Sequence, residues 1–216
     1  MGQKVNPVAL RLGIHQGFKS VGFYSKKQYA KTVLADIKLR EALFKRLKQA
    51  GVGDVIIERS LSSIKLTIYV TRPGIVIGRG GTGLEELKKQ IVKMLGITKK
   101  DKNSKKIEIK VEPIKDPNLS AYLVGTNISD QLLRRMPHKR VMKQAVDKVM
   151  SSGAKGVRIV LSGRIGGAEI GRREKLQQGT VPLSTIRENI TYASHPALTK
   201  KGYIGVKVWI NKPEEK

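Results

Sequence analysis

Between Ile64 and Val70 apolar and polar residues alternate strictly, with Ile64, Leu66, Ile68 and Val70 set against Lys65, Thr67 and Tyr69. This is the two-residue period of a strand that buries one face. Val55–Arg59 predicts a short strand before it, and Ile107, Ile109 and Val111 predict one after it. Spacings of three and four mark a helix through Leu39, Ala42, Leu43, Leu47 and Ala50, closed by Gly51-Val-Gly53. The same spacing recurs at Leu84, Leu87, Ile91, Val92 and Leu95, closed by Gly96. A shorter helix is expected ahead of the first, opened by the capping-box pattern Ser25-Lys-Lys-Gln28, with Asp36 starting the next. The first 24 residues are broken by Asn6-Pro7, Gly13, Gly17 and Gly22, which predicts an extended arm.

The second half opens with two helical stripes: Leu119, Leu123, Val124, Ile128 and Leu132, then Val141, Met142, Ala145, Val146 and Val149. Pro137 breaks the chain between them. Four strands are expected afterwards, at Val157–Leu161, Ile165–Arg173, Ile186–Tyr192 and Ile204–Ile210. Two helices followed by four strands predict an α+β layer, not alternating βαβ units. Pro113-Ile-Lys-Asp-Pro117 is the expected domain boundary.

Composition turns this pattern towards a partner. The chain carries 43 Lys and Arg against 17 Asp and Glu, a formal net charge of +26. Taken over residues 1–50, 51–100, 101–150 and 151–216 the net charges are +9, +5, +5 and +7, so no single tail holds the excess. A folded body this basic implies a polyanion, and nucleic acid touched on several faces fits better than a membrane surface. With no cysteine, disulfides, thiolate zinc sites and Cys nucleophiles are excluded. No apolar run reaches the roughly 18 residues of a membrane span, and Met1-Gly-Gln-Lys-Val-Asn6 has neither an apolar signal core nor a myristoylation pattern. A cytoplasmic chain is expected.

The glycine run Gly78-Arg-Gly-Gly-Thr-Gly83 is the motif with chemistry in it. As a nucleotide P-loop it fails, because Leu84 and Glu85 stand where Lys and Ser or Thr are needed. It matches the dinucleotide pattern G-x-G-x-x-G literally, but Arg72-Pro-Gly74 interrupts the strand that should run into it, and no second βαβ unit follows. A plain tight turn between helices is the bland reading. The reading with a physical role for every residue is the G-x-x-G loop of a K-homology (KH) RNA-binding domain. There Gly78, Gly80 and Gly81 let backbone approach a phosphodiester, Arg79 adds charge, and Ile75, Val76 and Ile77 offer an apolar surface to a base.

These stretches are also familiar as a set. Met1-Gly-Gln-Lys-Val-Asn-Pro7 with Arg11-Leu-Gly13, Arg72-Pro-Gly-Ile-Val-Ile-Gly78, Ser162-Gly-Arg-Ile-Gly-Gly-Ala-Glu169 and Gly205-Val-Lys-Val-Trp-Ile210 closely resemble, in colinear order, the family of bacterial ribosomal protein three of the small subunit. The resemblance runs from residue 1 to about residue 212. It implies a basic arm and short helix over 1–37, a type II KH domain with a mixed sheet over 38–112, a linker over 113–119, a second α/β domain with two helices on a four-stranded sheet over 120–212, and a short tail over 213–216. It further implies a place in the subunit head, binding to 16S ribosomal RNA, packing against ribosomal proteins ten and fourteen, and contact with mRNA where it enters. The basic loop Ile97–Lys106 is a few residues longer than is usual in the family, and the chain ends at Glu-Glu-Lys216 without the long basic tail of many relatives. The alternative is a free KH-type regulatory RNA binder.

Three sets of cations complete the expectations. Arg134, Arg135, Lys139 and Arg140 flank Pro137 and are fanned out by that break; the resemblance assigns this region to the mRNA channel and to unwinding of structured mRNA. Arg164, Arg172, Arg173 and Lys175 flank Gly166-Gly167 and are expected on ribosomal RNA phosphates, as are Lys4, Arg11, Lys19 and Arg72, with Lys26 and Lys27 beside them. His15, His138 and His195 carry no triad or metal pattern, with His138 grouped with the basic cluster and Trp209 assigned to packing or a protein interface. No enzymatic activity, cofactor, metal or small-molecule substrate is expected.

Overall fold

The computed structural model describes residues 3–60, 63–95 and 106–213. In chain order its elements are α1 (Pro7–Leu10), β1 (Ser20–Gly22), α2 (Lys26–Arg46), β2 (Val52–Arg59), β3 (Ser63–Val70), α3 (Pro73–Ile77), α4 (Thr82–Leu95), β4 (Lys106–Pro113), α5 (Ala121–Leu133), α6 (His138–Ser151), β5 (Gly156–Gly163), β6 (Arg172–Gly179), β7 (Ile190–Thr199) and β8 (Gly202–Asn211). They make two compact units. One holds Phe18–Lys115, and the other joins the described parts of Met1–Gly17 and Asp116–Lys216.

The unit of Phe18–Lys115 is a mixed sheet in the order β1-β2-β3-β4. β2 and β3 run antiparallel, while the pairs β1–β2 and β3–β4 are parallel. A parallel pair needs a crossover, and α3 and α4 lie in the one between β3 and β4. In β3 Ile64, Leu66, Ile68 and Val70 are buried as expected and Lys65 is exposed, pairing with Glu58 at 3.2 Å, but Thr67 on the other face is buried too. Leu39, Leu43 and Leu47 from α2 and its C-terminal end, Leu87 and Ile91 from α4, and Ile107 from β4 close the core. Each such side chain contributes about 1.5–3 kcal/mol by leaving water.

Asp36 does not start a helix. The two predicted helices are one, α2, of 21 residues, and Ser25 stands at its N-cap position without a side-chain cap bond. Asp36 is instead buried in mid-helix, where its carboxylate accepts from both Nε (2.8 Å) and Nη2 of Arg59 on β2. An acid at that depth is stable only because it is paired. The closing Gly96 and the long basic loop through Lys105 lie outside the described residues; Lys106 opens β4.

In the other unit a fully antiparallel sheet, β6-β5-β8-β7, carries α5 and α6. Ile128 and Leu132 of α5, Val141 and Val149 of α6, and the inward residues of β5 and β8 form its core. Trp209 points to the opposite face of the sheet, where it packs on Val160, Ile190 and Tyr192 beneath the guanidinium of Arg158. Two predicted strands move towards the C-terminus. The span expected to be Ile165–Arg173 begins as a tight turn, Ile165–Gly167, with φ of 69° and 83° at its two glycines, and the strand β6 starts only at Arg172. β7 starts at Ile190 and continues through Pro196, which is tolerated because β7 is an edge strand.

The expected arm over 1–37 is divided between the units. Residues 18–37 belong to the first, and the chain up to Gly17 is folded onto the second. Arg11 holds it there: its guanidinium is fully buried and donates to the carbonyls of Pro7, Pro182, Leu183, Thr185 and Glu188 at 2.7–3.3 Å. Gln16 Nε2 adds a bond to Ile190 O at 3.2 Å. Arg11 is therefore a structural clamp and not a free cation for RNA, since all its donor groups are occupied by backbone.

Candidate nucleic-acid interface

The glycine loop is built by two helices meeting end to end. α3 ends at Gly78, whose φ of 70° takes the chain into a region that L side chains avoid. Arg79–Gly81 then make a single 3-10 turn that runs into α4, with Gly80 at φ 62° and Gly81 at φ 83°. Gly83 is needed for a different reason: a Cβ there would lie 2.6 Å from Val76 O and 3.0 Å from Ile77 O, so α3 and α4 could not close on each other. Around Gly80 and Gly81 there is open space. Arg79 is exposed, and its carbonyl accepts from Thr82 Oγ1 at 3.0 Å. Beside it Ile75 and Ile77 are solvent-facing, but Val76 is buried in the core and is not available to a base. Arg72, at the start of α3, is exposed too.

The α5–α6 corner is the second basic surface. α5 closes with a Schellman motif: Arg135 N donates to Leu132 O at 3.0 Å and Met136 N to Gln131 O at 3.2 Å. Glycine is the usual residue at the left-handed position of that motif. Here it is Arg135, at φ 60°, the one non-glycine residue with positive φ among the described residues. Pro137 then blocks continuation, and α6 begins at His138. Arg134, Arg135, Lys139 and Arg140 are all exposed, and none is ion-paired with a described carboxylate. His138 is partly buried, with Nε2 2.9 Å from Glu174 Oε2 on β6, unlike the exposed cations around it.

The fold brings the corner to the glycine turn of the same unit. Arg135, Arg164, Lys200 and Lys201 line one cleft of about 410 Å³, whose apolar wall includes Leu132, Met136 and Ile204. Arg164 is held by Nε donating to Ala168 O at 2.9 Å, and Lys201 by Nζ donating to Gly167 O at 3.3 Å. Lys200 and Lys201 were not among the sequence candidates; their only signal was a Lys-Lys-Gly turn between two strands. Arg172, Arg173 and Lys175 lie on edge strand β6, where Lys175 lines a second cleft together with Lys139 of the corner and Arg172 Nη2 is 3.0 Å from Glu174 Oε1. Lys4 is exposed, and Lys19 Nζ is 3.0 Å from Asp54 Oδ2 in the first unit. Among the described residues no group of three or more His, Asp or Glu could hold a metal ion, and no helix is long and apolar enough to cross a membrane.

Comparison with known proteins bears on the family. The KH domain family matches residues 38–119, and the family described as ribosomal protein S3, C-terminal domain matches residues 128–210. Small ribosomal subunit protein uS3 of Hahella chejuensis is 46% identical over 214 residues, which is 99% of this chain and 91% of the relative. The uS3 protein of Marinobacter nauticus is 45% identical over 214 residues, again 99% of this chain and 91% of the relative. That of Persephonella marina is 43% identical over 215 residues, 100% of this chain and 92% of the relative. The shared name is that of a ribosomal subunit protein and not of an enzyme. A KH unit carrying an open glycine loop, followed by a C-terminal S3 unit and matched along nearly its whole length, places this chain in the small ribosomal subunit protein uS3 family.

Proposed function

We propose that the chain anchors to 16S ribosomal RNA in the head of the small subunit and that its α5–α6 corner grips mRNA where it enters. As a member of its family it is a constituent of the cytoplasmic ribosome's small subunit. The observation that carries the mRNA reading is the corner itself: Arg134, Arg135, Lys139 and Arg140 are exposed and not ion-paired with a described carboxylate, and Arg135 occupies a backbone conformation better suited to glycine. Fixed cations of this kind hold phosphates without reading sequence, which is what a strand of changing sequence requires. Held apart in this way, the two strands of an mRNA hairpin reanneal less readily, which gives the corner a part in unwinding. The open loop at Gly78–Gly81, with Arg72 and Arg79 exposed beside it, supports an RNA-phosphate contact by the KH unit. Arg164, Arg172, Arg173, Lys175, Lys4 and Lys19 supply further ribosomal RNA contacts on this reading, and ribosomal proteins ten and fourteen are the neighbours the family resemblance implies.

Ribosomes with alanine at Arg134, Arg135 and Lys139 are expected to pause at a stable mRNA hairpin and to translate unstructured message normally. Equal rates through the hairpin for variant and parent ribosomes would refute the grip.

A further inference from the structure

The cleft at the α5–α6 corner has features that phosphate gripping alone does not need. Four cations from three separate parts of the chain, Arg135, Arg164, Lys200 and Lys201, converge on it, and no acidic residue lines it. Like charges gathered in so small a volume raise one another's energy, and a bound anion removes that penalty. Two of the four are pre-positioned by the glycine turn: Arg164 through Ala168 O, and Lys201 through Gly167 O. A Cβ on Gly167 would lie 2.9 Å from Lys201 Cδ, so glycine there lets the lysine lie along the turn.

The cleft also has an apolar lining, in which Met136 and the exposed Pro137 stand over the buried Leu132 and Ile204. A site for a bare phosphate has no use for such a lining, and a strand lying across a flat cationic surface would not enter it. A volume of about 410 Å³ falls within the range of small-molecule sites. An apolar slot beside a set of cations fits an aromatic base joined to phosphate, with the guanidinium plane of Arg135 able to stack on the ring.

We propose that this cleft is a mononucleotide site, with the base against Met136 and Pro137 and the phosphate between Arg135, Arg164 and Lys201. The nucleotide is supplied either as a free nucleoside phosphate or as one residue turned out of an RNA strand. The site shares Arg135 with the proposed mRNA grip but does not depend on it, so the test uses Arg164 and Lys201, which lie outside that grip.

The full chain is titrated at physiological salt with ATP, GTP and inorganic triphosphate, and with a ten-residue single-stranded RNA and its counterpart carrying one abasic position. Binding is followed by the Met136 methyl and the Gly166 and Gly167 amide resonances. The nucleoside triphosphates are expected to bind at least tenfold tighter than inorganic triphosphate and to shift all three signals. The double variant Arg164→Glu/Lys201→Glu is expected to lose at least tenfold, whereas Lys88→Glu/Lys89→Glu, an equal change of charge on α4, is expected to lose less than threefold. If free nucleotides leave the three signals unmoved but the intact RNA shifts them and the abasic RNA does not, the occupant is an RNA residue. Equal binding of triphosphate and nucleotides with no difference between the two RNAs, or equal losses in the two double variants, overturns the proposal. Loss of the hairpin effect in Arg134, Arg135 and Lys139 variants leaves the Arg164/Lys201 result unaffected, so the two readings fail separately.

Discussion

Arg11 and Arg135 sit in the same unit and carry the same charge, yet their surroundings are opposite. Arg11 is completely enclosed, and five main-chain carbonyls accept its donors. Arg135 is exposed, meets no described carboxylate, and holds a backbone conformation that strains any residue but glycine. The first is a cation the fold consumes; the second is one the fold sustains at a cost. A net charge of +26 counts both equally, which is why the total implies a polyanion without saying where it binds. What distinguishes them is whether the protein already satisfies the donors.

The largest expected effect tests the enclosed member. Removing a charged donor from five carbonyls leaves one buried and four partly buried acceptors unsatisfied, the buried one at about 1–3 kcal/mol and the others at less. Arg11→Ala is therefore expected to destabilise the unit by at least about 3 kcal/mol in urea unfolding, and to free the segment up to Gly17 for proteolysis. Arg11→Lys rescues little, because an ammonium has three donors and no planar fork. Unchanged stability combined with weaker RNA binding would make Arg11 an RNA ligand after all and erase the contrast.

The exposed member is tested by the opposite sign. Arg135→Gly relieves a left-handed backbone that costs about 1–2 kcal/mol for an L-residue, while the Schellman bonds to Leu132 and Gln131 remain. The variant is expected to be more stable by about 1 kcal/mol and to bind single-stranded RNA more weakly. Its log affinity against log salt is expected to be shallower by roughly one, the loss of a single phosphate contact. Lower stability with unaltered RNA affinity would show that the arginine serves the fold.

The same distinction explains what could be read from the chain. Local patterns were legible: alternation in β3, the glycine loop, and the break at Pro137 each lie within a few residues. Partners distant in sequence were not. Asp36 looks like an N-cap until Arg59, on a neighbouring strand, is seen to pair with it. Arg11 looks like one more basic residue of an arm, because four of its five carbonyl partners are more than 170 positions away. β6 has Leu176 as its only aliphatic residue and β7 contains Pro196; both are edge strands, so neither had to show a clean hydrophobic period. The four cations of the cleft come from positions 135, 164, 200 and 201, and only the folded sheet makes them one site.

The smallest expected effect concerns a half-buried group whose charge, unlike that of arginine, can be given up. His195 on β7 packs edge-on against Tyr122, ring centroids 4.4 Å apart, and a Cβ at Gly125 would lie 2.5 Å from its Cδ2. Burial pushes its pKa below the ordinary histidine value, and a backbone hydrogen bond with Tyr122 opposes this only in part. Burial lowers the pKa of Arg11 as well, but five carbonyls accept from its guanidinium; the half-buried His195 has no comparable set of acceptors. With the folded pKa depressed, the unfolded chain binds the proton first as pH falls. Stability is then fully present above about pH 6.5, the unfolded value, and declines below it until the folded pKa is passed. Urea unfolding between pH 7.5 and 5.0 is expected to show this decline in the parent chain and a flatter profile in His195→Phe, whose ring fills the same space without titrating. Parallel profiles for the two chains would assign the slope to other groups and show that the surroundings of His195 do not set its charge.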